Sequence, residues 1–175
     1  SDFGMPRSRS GAVHCDVLLN LVSLRQGLAT FSPEGAKKFM AITRKMYAAL
    51  GGLTLSNGDL AYFNTTGQIS HEDSLALAAR SATKTVFGES RMLAGFGVLL
   101  GEESKLIADS GHKPEPGIDE FMMAGAGSFE FSHRNDLIVG NCGPGNADMG
   151  EDALLFSLPA AHSALELDYQ AEAPF

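Results

Sequence analysis

The sequence predicts an α+β chain, an N-terminal pair of helices followed by an antiparallel β-sandwich that is truncated at its far end. Three observations predict it. Apolar residues recur at helical spacing from Val13 to Leu50. An Asn57-Gly58 turn sits between two apolar runs. From Met92 onward, short apolar or alternating segments are separated by Gly, Pro, Ser and Asn, the pattern of strands joined by turns.

The first helix is expected over residues 12–29. Its stripe is Val13, Val17, Leu18, Leu21, Leu24 and Leu28, and Ser10 is placed to accept a hydrogen bond from the first turn. The second opens at Ser32-Pro33-Glu34, which supplies a cap, a preset first turn and an acid at the positive end of the dipole. Its stripe is Phe39, Ile42, Met46 and Leu50, and Gly51-Gly52 is expected to end it. So short a connection makes the two helices antiparallel neighbours.

Leu53–Leu55 and Leu60–Phe63 form a hairpin candidate around Ser56-Asn57-Gly58-Asp59. Ser70 and Asp73 resemble a capping box before a short helical turn at Leu75–Ala79. Three strand pairs follow: Met92–Leu100 with Lys105–Ala108, Ser128–Phe131 with Leu137–Val139, and Ala153–Leu158 with Ala164–Leu167. The expected division is therefore 1–52 helical, 53–88 hairpin-bearing linker, and 89–175 incomplete sandwich.

A net charge of -8 argues against a nucleic-acid partner, because phosphate neutralisation needs a basic face. No apolar run approaches the roughly 20 residues of a membrane-spanning helix. Cys15 and Cys142 lack CxxC partners, which excludes zinc knuckles and thioredoxin-like chemistry, and two buried thiols are expected. The start at SDFG and the end just past a strand suggest a piece of a longer polypeptide.

Five histidines (His14, His71, His112, His133, His162) show no HxH or HExxH spacing, so none alone specifies a metal. The same absence argues against a cupin-like enzyme. His162 follows the irregular Pro159-Ala160-Ala161 and precedes an apolar segment, a position at a sheet rim open to either a structural or a chemical role. His133 and Asp136 fall in a tight turn, and His14 near a helix start suits a surface or interhelix role. Gly140–Gly145 lacks the GK[ST] of a phosphate loop and reads as a Gly-rich corner, with Cys142 a structural thiol rather than a nucleophile. Asn64-Thr65-Thr66 matches a glycosylation acceptor, and Asp109, Glu115, Asp119 and Glu120 show no pairing diagnostic of glycoside hydrolysis.

Several segments, in order, resemble the heparinase II/III-like family. Ser1–Leu28 is similar to its loop and leucine-rich helix, and Gly58-Asp59-Leu60-Ala61-Tyr62-Phe63-Asn64 to its "DGxLALFN" linker. Met123–Phe131 resembles "HADALSFEL", Leu137–Gly143 resembles "LLVDPG" or "IVVNCG", and Ala161-His162-Ser163-Ala164-Leu165 resembles "AHSTL" or "AHNTV". The resemblance implies the end of an α/α toroid joined to the start of a β-sandwich. It also implies a lyase that cleaves uronic-acid polysaccharides by β-elimination, with an acidic polysaccharide or oligosaccharide as partner. That chemistry needs a group that offsets the uronate carboxylate, a base for the C5 proton and an acid for the departing oxygen. In the family most of these lie in the toroid, upstream of residue 1 here, while the sandwich adds a histidine and, in some members, a structural zinc site.

Mapped onto this chain, the first His of "HADALSFEL" corresponds to Met123 and its Asp to Gly125. The acid of "LLVDPG" corresponds to Asn141, and only His162 keeps an imidazole. Met5-Pro6-Arg7-Ser8 stands where the family's loop tyrosine is expected. The expectations are then His162 as the catalytic candidate, Arg7, Arg9 and Asn141 as substrate contacts, and no metal or other cofactor. These 175 residues by themselves are expected to be inactive. The alternative is a carbohydrate-binding or structural sandwich module that has lost lyase activity. Oligomeric state and localisation stay open, the resemblance allowing a periplasmic location.

Overall fold

The computed structural model describes residues 4–67, 89–110, 117, 125–145, 147–167 and 170–171. Helix α1 spans Gly11–Phe31 and helix α2 spans Pro33–Leu53, joined by Ser32 alone. Both caps form as the sequence suggests: Ser10 Oγ accepts from the Val13 N–H and Ser32 Oγ from the Gly35 N–H. The pair is antiparallel, since His14 near the start of α1 reaches the Met46 carbonyl near the end of α2 at 2.8 Å.

The faces are rotated from those expected. In α1 the buried line is Gly11, His14, Cys15, Leu18 and Val22, whereas Val17 and Leu24 are exposed. Apolar residues surround much of this helix, so periodicity alone leaves open which line meets the core. In α2 the buried line is Thr43, Met46, Ala49 and Gly52, Ile42 is exposed, and the helix continues through Gly51-Gly52 to Leu53.

The hairpin expected around Asn57-Gly58 contracts to one antiparallel bridge, Thr54↔Leu60. Gly58 takes φ +91°, and Asn57 bonds to both the N–H and the side chain of Asp59, which fixes the turn. The capping-box residues Ser70 and Asp73, the turn at 75–79, His71, His112 and Met123 lie outside the described residues.

A five-stranded antiparallel sheet follows in the order β1-β2-β3-β4-β5. Its strands are β1 Arg91–Leu93, β2 Phe96–Leu100, β3 Ser104–Asp109, β4 Phe129–His133 and β5 Asp136–Val139. The single strand expected over Met92–Leu100 is thus two. Ala94 and Gly95 both have positive φ (+48° and +86°), the backbone of a tight hairpin turn inside a continuous apolar run. The strand expected over Ala153–Leu158 is also corrected, because Ala147–Ser157 forms 3-10 turns kinked at Gly150, with another at Pro159–Ala161. A two-stranded sheet, β6 Glu166–Leu167 with β7 Gln170–Ala171, lies beyond.

One apolar core joins the parts. Leu18, Val22, Met46 and Leu53 of the helices meet Leu55, Leu60 and Phe63 of the linker and Leu93, Phe96, Val98 and Ile107 of the sheet. Strand register puts Val98, Ile107 and Glu130 on this inner face, and Leu99, Leu106, Phe131 and Val139 on the other. The inner face also buries Lys105, Asp109, Glu130 and Ser132. Buried ionisable groups persist where hydrogen bonds or an opposite charge serve them, and they mark where this sheet is joined to the N-terminal half.

Candidate functional site

At one end of the sheet the N-terminal segment docks through Arg9, which is 8% exposed. Its Nη2 lies 2.6 Å from Asp109 Oδ1 and 2.9 Å from the Gly95 carbonyl, and its Nε bonds to the Ala94 carbonyl at 3.1 Å. The guanidinium stacks 4.4 Å from the Phe96 ring centroid. The β1–β2 turn thus exposes its carbonyls to a cation carried by a distant part of the chain. Arg7 is exposed, while Arg9, placed with it as a substrate contact, has its guanidinium committed to Asp109 and to this turn.

At the other end of the sheet, four segments meet around Glu130 and Asn141. Glu130 is on the inner face of β4 and is 1% exposed. Its Oε1 accepts from the Tyr62 N–H at 3.0 Å and the Asn141 N–H at 2.9 Å. Burial raises the carboxyl pKa to about 7, against the opposing pull of those bonds. The Asn141 amide donates to the Tyr62 carbonyl at 3.2 Å and accepts from the Ser163 N–H at 3.0 Å. The Ser163 hydroxyl accepts from the Phe129 N–H at 2.9 Å and donates to the Phe129 carbonyl. A backbone bond from the Cys142 N–H to the Ala161 carbonyl, 3.0 Å, completes the junction.

His162 lies beside this junction, half-buried, with Nε2 enclosed and without a hydrogen-bond partner among the described residues. Burial lowers its pKa, opposed by a hydrogen bond to the Phe156 backbone, so the neutral imidazole is favoured. Its ring packs on Gly125, where a Cβ would come within 3.3 Å of His162 Cγ and 3.0 Å of Ser128 Oγ. The donors that the family resemblance brings to mind for zinc are not assembled here. Gly125 offers no side chain, Asn141 is a neutral amide engaged at both ends, and no group of three His, Cys, Asp or Glu able to hold a metal occurs among the described residues. These residues do not fit a zinc ion.

An adjoining cleft of about 490 Å³ is lined by Tyr62, Gly67, Cys142, Pro144, Met149 and Phe156, among others. Burial, then the charges of Asp59 and Glu130, raise the Tyr62 pKa, so the phenol stays protonated and can donate. Cys142 is exposed, contrary to the expectation of two buried thiols, because the Gly-rich corner turns it out of the core; Cys15 is buried, and neither forms a disulfide. A separate groove of about 810 Å³ is lined by Gly51, Thr54, Ser104, Lys105 and Arg134, among others. There the Lys105 amino group donates to the Gly51 and Thr54 carbonyls at the C-terminal end of α2, and burial lowers its pKa to about 8.

The other sequence candidates fall into structural roles. His14 is buried between the helices, and His133 bonds through Nδ1 to Ser104 Oγ at 2.8 Å. Asn64 is 4% exposed, which places its side chain out of reach of a glycosyl donor. Sequence reasoning missed Glu130 and Tyr62. For Glu130 a signal existed: an acid alternates with Phe129 and Phe131, so it shares a face with the inner residues of the neighbouring strands.

Residues 90–173 match the family described as Heparinase II/III-like, C-terminal. Among solved structures, heparan sulfate lyase HepC from Pedobacter heparinus is similar with a TM-score of 0.75 at 14% identity, over 98% of this chain and 31% of that one. A heparinase III is similar with a TM-score of 0.73 at 13% identity, over 98% of this chain and 33% of that one. The chain thus spans about a third of the length of the structures it matches. A comparison with curated protein sequences gives no match. The sheet, the Asn141 corner and the His162 segment all lie inside the matched span, so residues 90–173 carry the likeness to the heparinase II/III-like C-terminal family.

Proposed function

We propose that this chain serves a polysaccharide lyase acting on uronic-acid-containing glycans by β-elimination, with the principal catalytic groups supplied by toroid helices preceding residue 1. The single observation that carries this reading is the joining of helices, linker and sheet through one core and one polar junction, beside a cleft that presents a protonated Tyr62 phenol. The solved structures of this fold include a heparan sulfate lyase, which supports a glycosaminoglycan or similar polyuronate as substrate. Arg7 supplies an exposed cation for a carboxylate or sulfate. Arg9 and Asn141 act through the segments they hold. His162 is favoured as a neutral imidazole and can accept a proton once Nε2 is uncovered.

Three observations favour a second reading, a sandwich module that binds glycan without cleaving it. Gly125 has no side chain, Asn141 is engaged at both ends, and His162 Nε2 is enclosed. The test is incubation with heparan sulfate and other polyuronates while the ultraviolet absorbance of the C4=C5 unsaturated product is followed. The 175 residues alone are expected to give no signal, and the same residues joined to a catalytic toroid are expected to give one. No signal from the joined polypeptide on any uronate polymer sinks the lyase reading, and retained glycan binding would then establish the second.

A further inference from the structure

We infer that the zinc-holding position suggested by the family resemblance is occupied in this chain by a metal-free hydrogen-bonded clasp, in which Asn141 and Ser163 tie the linker at Tyr62 to strand β4 at Phe129. The inference does not depend on lyase activity. Three observations carry it. Each polar end of the Asn141 amide has a protein partner, the Tyr62 carbonyl at 3.2 Å and the Ser163 N–H at 3.0 Å. The Ser163 hydroxyl meets both backbone groups of Phe129, so the residue after the histidine stitches its segment to β4 through its side chain. The His162 ring lies directly on Gly125, where even a single added carbon would be 3.3 Å from Cγ. A glycine there lets the imidazole close over the backbone and fill the room that a carboxylate would need.

A metal gathers distant segments by drawing their side chains to one ion. Here the same kinds of segment, β4, the corner at Asn141 and the stretch at His162-Ser163, are gathered by neutral groups that bond to backbone. The amide serves this purpose better than a carboxylate. Its Nδ2 faces a carbonyl oxygen, to which an aspartate could present only a second acceptor.

The test uses the full chain. After incubation with zinc and gel filtration, elemental analysis is expected to find far less than one zinc per chain, and the melting temperature is expected to be the same with zinc and with a chelator. N141D is expected to melt lower, by ~5 °C, and to gain nothing from zinc. Hydrogen exchange on the unmutated chain, free of any folding defect in the variant, is expected to show slowed exchange at the amides of Tyr62, Asn141 and Ser163 that a chelator leaves unchanged. Stoichiometric zinc, a chelator-sensitive melting temperature, rescue of N141D by zinc, or unprotected exchange at those three amides would each overturn the clasp.

Discussion

The two ends of the sheet are fastened to the N-terminal half by opposite chemistry. At the β1–β2 end a buried cation, Arg9, faces a buried anion, Asp109, over an aromatic ring. At the β4–β5 end Glu130, Asn141 and Ser163 bond largely to backbone groups, and Glu130 is served by two N–H donors. An ion pair holds two specific side chains and fails badly when one is removed. A backbone-directed network instead fixes the path of the chain, loses one bond at a time, and feels pH wherever one of its members titrates. The contrast separates a joint that sets which segments meet from a joint that sets how the linker enters the sheet beside the cleft.

The largest expected effect lies at the ion pair. R9M removes the guanidinium from Asp109 and from the turn carbonyls of Ala94 and Gly95, and is expected to cost about 3–5 kcal/mol in urea unfolding. Adding D109L to R9M is expected to recover most of that, because an apolar pair of similar bulk leaves no charge in the interior. If R9M costs less than a single hydrogen bond, the ion pair is not what fastens this end.

Glu130 sharpens the comparison through pH. Its folded pKa, about 7, stands above the ordinary carboxyl value of 4.5, so between these values the folded chain holds a proton that the unfolded chain releases. The contribution of Glu130 to stability is therefore greatest below about pH 4.5 and declines as pH rises towards 7. E130Q keeps a carbonyl acceptor for the Tyr62 and Asn141 N–H groups and does not titrate. Unfolding free energies measured across this window are expected to fall for the wild type relative to E130Q, and a relative rise would show that the N–H donors outweigh burial.

Much of the fold was legible because its signals are local. Ser10, Ser32-Pro33 and Asn57-Gly58 act on residues within one turn, and each forms the predicted cap or turn. The Ala94-Gly95 turn was hidden because no polar residue interrupts Leu93 to Val98, and a left-handed Ala carries no sequence mark. Ala153–Leu158 reads equally as a buried strand or a helical turn, and the kink at Gly150 with Pro159 beyond it favours compact 3-10 turns. The site was less legible still. Motif resemblance located Asn141 and His162, but that Asn141 reaches Tyr62, or that His162 covers Gly125, is a contact across the fold that no local spacing encodes.

The smallest expected effect provides the control for both joints. Arg134 in the β4–β5 turn pairs with Glu103 at 2.8 Å, close to the clasp in sequence but with both side chains more than half exposed. Water screens such a pair, and ordering two long side chains offsets much of its attraction, so E103A is expected to cost under ~1 kcal/mol. Added salt should erase that difference while leaving the cost of R9M nearly intact, since buried charges are screened far less. Unfolding curves at low and high salt decide it. A large, salt-resistant loss in E103A would mean that the outer turn, rather than the buried junction, holds this end of the sheet.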